Sequence, residues 1–498
     1  MNDDDSNVRS IVQEVVNRVT TGEESQTSMG SAGRPDSSPA ASSRASSSAR
    51  SNNAGGSGNL GAFTSAPDAI DAAGLAFKEF RGQDNLSLRR KIVEVIREVG
   101  KEKARDWAEK AVKETGFGRI EDKVAKITLC SEKTPGVDDI QPEVTTGDHG
   151  LTLEEFAPWG IIGSITPSTN PAATMVNNSI SMVAAGNAVV FNPHPAAKEV
   201  CVDAIQELNR AIQRVGGPQD LLTIISEPTL DTAQEIFHHD DIPLLSVTGG
   251  EAVVEEAMKA SKRVIAAGPG NPPVVVDETA DICRAGQKIV EGASFDNNIM
   301  CTCEKEILAV EEIAEDLMYH LCQNGGYQLD EQQTEQVANL VLEDYPGDNP
   351  SVNTDWIGKN AAVIAENAGF NVPEETRLLI PETGPQHPFA QLEQLMPVVP
   401  FIRVPNVDRA IDLAVELEHG YQHSAAMHSQ NIENMHRMAV EMDCSIFVKN
   451  GSNLNAMGHN GEGWTSMTIS TPTGEGVTSA RTFVRRRRCA LVDYFRIV

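Results

Sequence analysis

Positive charge and aromatic side chains are both scarce in this chain of 498 residues: 41 Lys and Arg face 71 Asp and Glu, and aromatics make up 5%. The net charge of −30 argues against a nucleic acid or an anionic membrane as partner, because phosphate binding needs a basic field. Few aromatics, together with 39 glycines and 40% hydrophobic residues, disfavour an aromatic-rich β-sandwich and suit α/β layers. Long apolar runs are missing, and the start, Met1-Asn2-Asp3-Asp4-Asp5, lacks the basic and apolar regions of a secretory signal. A soluble, cytoplasmic protein with no membrane partner is the expectation. Eight cysteines spread this thinly read as reduced thiols, and Cys301-Thr302-Cys303, with no second pair at ligand spacing, predicts no metal site. None of the turns that separate strands and helices between residues 160 and 273 reads Gly-x-Gly-x-x-Gly, and no repeat of fixed period stands out. The local exception to the acidic balance is Arg485 to Arg488, whose alternation on a strand points to an oligomer contact or solvent in preference to phosphate recognition.

A chain of this length exceeds what one core supports, so two or more folded domains and a tail are expected. Val8, Ile11, Val12, Val15, Val16 and Val19 form one helical stripe, and Asp3, Asp4, Asp5 and Ser6 favour its N-terminal end, which predicts an amphipathic helix within residues 1–20. Residues 21–66, rich in Ser, Gly and Ala and without hydrophobic period, read as a disordered linker. A short helix on so long a tether is expected to dock on another protein through residues 8–19. Packing on its own globular part or on a twin helix is the competing reading.

Helices are predicted at 68–78 and 87–113, the second with Asn85 near its start. Strand, turn and helix then alternate, with strands at 160–166, 188–191, 222–225, 244–247 and 263–266, a pattern that predicts a parallel sheet with ligand-binding loops at the carboxyl ends of its strands. Thr248-Gly249-Gly250 opens a helix whose free N–H groups suit a pyrophosphate, or it is only a tight turn. A second α/β region follows, with strands at 306–310, 424–427 and 444–448, with Met396 to Val399 preceding Phe401 to Val404 and a helix from Val407 to Leu417 between the first and second of them, and the end of the chain reads as β. Between the two regions lies Ser294-Phe295-Asp296-Asn297-Asn298-Ile299-Met300-Cys301-Thr302-Cys303-Glu304. A cysteine in such a polar loop is a candidate covalent nucleophile, set against the plainer reading of a buried packing residue.

Several segments in order carry a family resemblance: Ile165-Thr166-Pro167-Ser168-Thr169-Asn170-Pro171, Val190-Phe191-Asn192-Pro193-His194-Pro195, Thr248-Gly249-Gly250, Gly268-Pro269-Gly270-Asn271-Pro272-Pro273, Asp296-Asn297-Asn298 with Cys301 and Glu304, Met396-Pro397-Val398 and Thr473-Gly474-Glu475-Gly476. Through them residues 67–498 resemble the aldehyde dehydrogenase superfamily, and within it the CoA-acylating propionaldehyde and acetaldehyde dehydrogenases of bacterial microcompartments. The resemblance implies an NAD(CoA)-binding Rossmann-type domain at 67–277 with an arm segment near 138–155, an α/β catalytic domain at 278–460, and a C-terminal segment at 461–498 completing a β oligomerisation arm. It also implies a dimer or tetramer, and makes the N-terminal helix an encapsulation peptide for a shell protein or co-packaged enzyme, which places the chain in a microcompartment lumen.

The implied chemistry is attack by the Cys301 thiolate on a short aldehyde (propionaldehyde, acetaldehyde or lactaldehyde), giving a thiohemiacetal, with hydride passing to NAD. Cys301 is implied over Cys303 by the Cys-x-x-Glu spacing to Glu304, and a following helix start would lower the pKa of either thiol. The Cys301 N–H and the Asn170 amide are the implied oxyanion donors, although the asparagine of hydrolytic members aligns with Thr169. Those members carry a water-activating glutamate that Ala267-Gly268-Pro269-Gly270-Asn271 lacks, so the acyl-enzyme is expected to persist until CoA arrives. Thr166, Pro167, Ser168, Asn192, Pro193, His194, Thr248, Gly249, Gly250, Gly268 and Gly270 are carried over as cofactor-binding positions, with Asn192 standing where relatives place lysine. Glu393 is a candidate for the nicotinamide ribose or an exposed loop carboxylate. His423 assists proton transfer, binds CoA, or is a core histidine. The competing functions are a hydrolytic dehydrogenase and a non-catalytic shell-associated scaffold.

Overall fold

The computed structural model describes residues 60–83, 86–494 and 497. The N-terminal helix, the linker up to residue 59 and Asn85 lie outside the described residues. The last stretch assigned to the linker is not one. Ala62–Phe63 adds a parallel strand beside Leu222–Ile225, with Ile224 N–H donating to Gly61 O at 2.8 Å and Ser226 N–H to Phe63 O at 2.7 Å.

Six parallel strands form the first sheet, in the order Ala62–Phe63, Leu222–Ile225, Ala188–Pro193, Ile161–Thr166, Leu244–Thr248 and Arg263–Ala267. The three inner strands that follow one another from Ile161 are buried at every residue because both faces of the sheet are covered. The chain steps outward one way from Ile161–Thr166 and then returns to its other side with Leu244–Thr248. That reversal opens a crevice at the carboxyl ends of these two strands.

Helix Pro171–Ala184 is buried at every residue. Pro171 suits its first turn, where an N–H would have no partner, and small side chains let neighbours approach. Its interior amides are satisfied: Asn177 donates to Thr134 Oγ1 at 2.8 Å and accepts from Met467 N–H at 2.9 Å, while Asn178 donates to Ser164 Oγ at 3.2 Å. Helix Leu86–Thr115 packs beside it and buries Trp107 completely, with Nε1 donating to Asp203 Oδ2 at 2.9 Å. Trp107→Ala should lower unfolding stability by about 3–5 kcal/mol, measured as a shift in urea midpoint, and a loss below about 1 kcal/mol would contradict this packing.

A second parallel sheet has the order Phe401–Val404, Glu306–Val310, Pro273–Val276, Ser424–His428 and Ile446–Lys449. Because Pro273–Val276 pairs centrally here, the crossing between sheets falls in residues 268–272 and not after residue 277. The antiparallel arm joins Glu143–Gly147, Gly150–Pro158 and Val484–Val492, with Arg488 opposite Glu154. Helix Ile120–Lys133 was not foreseen, although Ile120, Val124, Ile127 and Cys130 repeat at helical spacing. Among the described residues, no helix is long and apolar enough to cross a membrane.

Candidate active site

After helix Ile282–Ala293 the chain makes an uncommon turn: Asp296, Asn297 and Asn298 have φ of +46°, +56° and +63°. Asp and Asn are the side chains that best tolerate this left-handed region, which explains why the motif reads as it does. Hydrogen bonds hold the turn. Asn297 Nδ2 donates to Gly358 O and Asn360 Oδ1, both at 2.8 Å, and Asn298 Nδ2 donates to Ala293 O at 2.6 Å and Glu304 O at 2.9 Å. The buried Lys305 ammonium donates to Asn298 O at 2.7 Å and Met300 O at 3.3 Å. The turn then delivers Cys301 and runs into strand Glu306–Val310. The expected helix start, with a dipole to lower the thiol pKa, is therefore absent at this point.

Cys301 is partly exposed, whereas Cys303 is fully buried in the core of the first sheet with Sγ 3.8 Å from Phe295 O. Burial first, then the Glu393 carboxylate, push the Cys301 thiol up to about 12, against the opposing pull of Lys305. The resting sulfur is thus protonated at neutral pH, and attack on a carbonyl must be coupled to loss of that proton. Glu304, the carboxylate of the Cys-x-x-Glu spacing, turns away to accept from Asn453 N–H at 2.8 Å, and a Cβ on Gly292 would stand 2.2 Å from its Oε2. Its role is to brace the loop.

Gly270, His423 and Glu393 surround Cys301. A Cβ on Gly270 would lie 2.9 Å from Cys301 O and 2.8 Å from His423 Cγ, and Gly270 N–H donates to Glu393 Oε1 at 3.4 Å. Glu393 is consequently half-buried beside the thiol and not an exposed loop carboxylate, and burial raises its pKa. His423 is fully buried, with Nδ1 at 3.0 Å from Ser424 Oγ, Nε2 without a protein partner, and the backbone N–H donating to Glu418 Oε1 at 2.7 Å. Burial, with Lys305 adding, pushes the imidazole down to about 4, so the ring is neutral in the folded protein. Because this value lies below the unfolded one, the stability associated with neutral His423 is complete above about pH 6.5 and is lost as pH falls towards about 4. Lowering pH from 7.5 to 5.5 should therefore reduce the urea midpoint of the wild type more than that of His423→Gln. Equal reductions would refute the assignment.

The remaining positions gather at the carboxyl ends of the first sheet. Thr166 ends its strand with a buried Oγ1 that has no protein partner, and its carbonyl accepts from His194 N–H at 3.0 Å. Pro167 and Ser168 are half-buried in the following turn. Gly250 caps helix Glu251–Met258 without a side-chain bond to its N–H groups, and space beside its Cα is open. These free donors, with Thr166 and Thr248 at the crevice, fit a dinucleotide pyrophosphate. Asn192 Oδ1 accepts from Thr232 Oγ1 at 2.8 Å, and a Cβ on Gly268 would lie 3.2 Å from Pro472, so these two face protein neighbours. Pro193 and His194 tie the neighbouring strand end to this rim.

Asn170 caps helix Pro171–Ala184 with its side chain half-buried, and its amide oxygen accepts from Lys126 Nζ. Lys126 and Lys123 both pair with the buried Asp296. Sequence reasoning passed over these lysines because helix Ile120–Lys133 was missed and a lone lysine ordinarily means solvent.

Residues 52–337 match the aldehyde dehydrogenase family. The chain is 55% identical over 442 residues, 88% of its length and 94% of the relative's, to the acetaldehyde dehydrogenase (acetylating) EutE of Escherichia coli K12. It is 42% identical to the propanal dehydrogenase (CoA-propanoylating) of Salmonella typhimurium, over 88% of this chain and 93% of that one. Among solved structures, it matches the Rhodopseudomonas palustris propionaldehyde dehydrogenase with bound propionyl-CoA at a TM-score of 0.85 and 41% identity, covering 87% and 95% of the two chains. The chain belongs to the aldehyde dehydrogenase family.

Proposed function

We propose that this protein is a CoA-acylating aldehyde dehydrogenase that oxidises a short aldehyde through a covalent adduct on Cys301. The observation that carries the reading is the partly exposed Cys301, next to which the 267–271 segment places Gly270 and no water-activating carboxylate. When bound, NAD supplies the hydride acceptor and CoA the thiol that receives the acyl group. The chain itself supplies the Cys301 sulfur as nucleophile, the Asn170 amide and Cys301 N–H as donors to the developing oxyanion, and a buried, neutral imidazole at His423. The Gly250 end of helix Glu251–Met258 and the strand ends at Thr166 and Thr248 would hold the pyrophosphate. Glu393, engaged by Gly270 N–H, is placed to meet the cofactor beside the thiol. A relative's structure supports the thiolysis step, since the Rhodopseudomonas palustris enzyme has been solved with bound CoA and an acylated cysteine.

The working environment follows from the same reading. A propionaldehyde dehydrogenase from the fucose utilisation bacterial microcompartment of Clostridium phytofermentans is similar over 88% of this chain, at a TM-score of 0.86 and 42% identity. The stripe at residues 8–19 supports docking to a shell protein or co-packaged enzyme, hence residence in a microcompartment lumen. The exposed edge strand Val484–Val492 supports a dimer or tetramer built through the arm. The reading is tested by NADH formation from propionaldehyde or acetaldehyde and NAD, with and without CoA. Turnover should require CoA, and equal rates without it would assign a hydrolytic enzyme.

A further inference from the structure

Helix Ile120–Lys133 carries two lysines inward behind the Cys301 loop, and both are almost completely buried, at 3% exposure for Lys123 and 2% for Lys126. Between them lies Asp296, the first of the three left-handed residues of the nucleophile turn and itself 0% exposed. Its Oδ1 accepts from Arg119 N–H at 2.6 Å, and its Oδ2 pairs with Lys123 Nζ at 3.1 Å and with Lys126 Nζ. Gly118 makes room for this arrangement, since a Cβ there would stand 2.0 Å from Asp296 Oδ1. Burial opposes the charge on Asp296, but the two ammonium groups outweigh it and hold the carboxylate below its usual range. Two ammonium groups and one carboxylate leave one positive charge that Asp296 does not cancel.

Both lysines reach onward to the turn that carries the oxyanion donor. Lys123 Nζ donates to Thr169 O at 3.4 Å, and Lys126 Nζ donates to the side chain of Asn170. An ammonium group only donates, so the atom facing Lys126 has to be the amide oxygen of Asn170. Its Nδ2 is then turned the other way. One of its N–H bonds goes to Thr169 Oγ1 at 3.2 Å, and the second is left for another acceptor.

We propose that Lys126 is a positioning residue that locks the Asn170 amide with its N–H aimed at the oxyanion, using Asp296 of the nucleophile turn as its anchor. The proposal rests on the dehydrogenase reading, in which Asn170 donates to the oxyanion. Without Lys126 the amide is free to rotate, and its flipped form would present oxygen to oxygen, removing a donor and adding repulsion. Through one carboxylate, the segment that delivers the sulfur also sets the direction of the amide, although residues 126 and 296 are 170 positions apart in sequence.

The test is a double-mutant cycle on the full-length protein, with kcat and KM for aldehyde and a thermal melt for each variant. Lys126→Met leaves Asp296 paired one to one with Lys123, so no uncompensated carboxylate is created. Asn170→Ala should lower kcat by about 10²–10³-fold, the usual loss for one oxyanion donor. Lys126→Met should lower kcat by about tenfold or more with a smaller change in KM, and the double variant should be no slower than Asn170→Ala alone. Lys126→Arg, whose guanidinium can still donate to both Asp296 and the amide oxygen, should keep more of the wild-type kcat than Lys126→Met, and its own cycle with Asn170→Ala, in which any loss should again be non-additive, covers the case of an unstable methionine variant. Independent, multiplying losses in either cycle would overturn the proposal, as would a folded Lys126→Met enzyme with wild-type kcat. A wild-type rate in Asn170→Ala would instead remove the oxyanion role of Asn170, and the proposal with it.

Discussion

Cys301→Ala should abolish aldehyde-dependent NADH formation, a loss on the order of 10⁴-fold or more, because it removes the sulfur that forms the covalent adduct. Cys303→Ala should leave turnover within a few-fold of wild type and lower stability by about 1–2 kcal/mol for the small core void it creates. The contrast follows from exposure. Cys301 is open enough to meet a carbonyl, whereas Cys303 has 0% exposure and packs among the apolar side chains of the first sheet. The two variants should be compared under saturating NAD and CoA, with iodoacetamide labelling located by peptide mapping. Labelling of wild type at Cys303, or turnover surviving in Cys301→Ala, would reverse the assignment.

Gly270→Ala should lower kcat by about a hundredfold while moving the melting temperature by only a few degrees. The added methyl would stand 2.8 Å from His423 Cγ and 2.9 Å from Cys301 O, both closer than ordinary contact. Neither neighbour can yield easily: His423 is fully buried, and Cys301 O is backbone held by the Lys305-braced turn. The thiol loop should shift by up to about 1 Å, and a displacement of that size at a reacting atom costs on the order of 10²-fold. Gly268→Ala is the control, because its new Cβ would meet only the edge of the Pro472 ring at 3.2 Å. Equal losses in both variants would show that backbone freedom, and not the methyl contact, governs the site.

Much of the fold is legible in the chain itself. The Ile161–Thr166, Ala188–Pro193 and Leu222–Ile225 strands are continuous apolar runs punctuated by Gly, Asn and Pro, and such punctuation reports local conformation directly. Helix Val407–Leu417 could be read from its apolar spacing for the same reason. Helix Ile120–Lys133 could not be read so readily, because its inward face carries Lys123 and Lys126, which a hydrophobic pattern counts as solvent-facing. Strand Ala62–Phe63 is two residues long and has no period to detect; only pairing with Leu222–Ile225 makes it a strand.

The amino-acid sequence by itself determined most strands of the two parallel sheets, the polar Asp296-Asn297-Asn298 segment with its cysteines, and the lack of a carboxylate in residues 267–271. These are local properties, set by φ preferences, periodicity and residue chemistry along the chain. Which of two nearby sulfurs is reachable, whether Glu393 faces solvent or the thiol, and which way the Asn170 amide points were decided only by the tertiary structure. Each depends on groups far apart in sequence, such as Lys126 with Asp296 and Gly270 with His423, whose distances are fixed when the two sheets and the helices between them pack. Local spacing cannot report the burial that makes His423 neutral or the contact that orients an amide, because both arise from what the rest of the chain places against them.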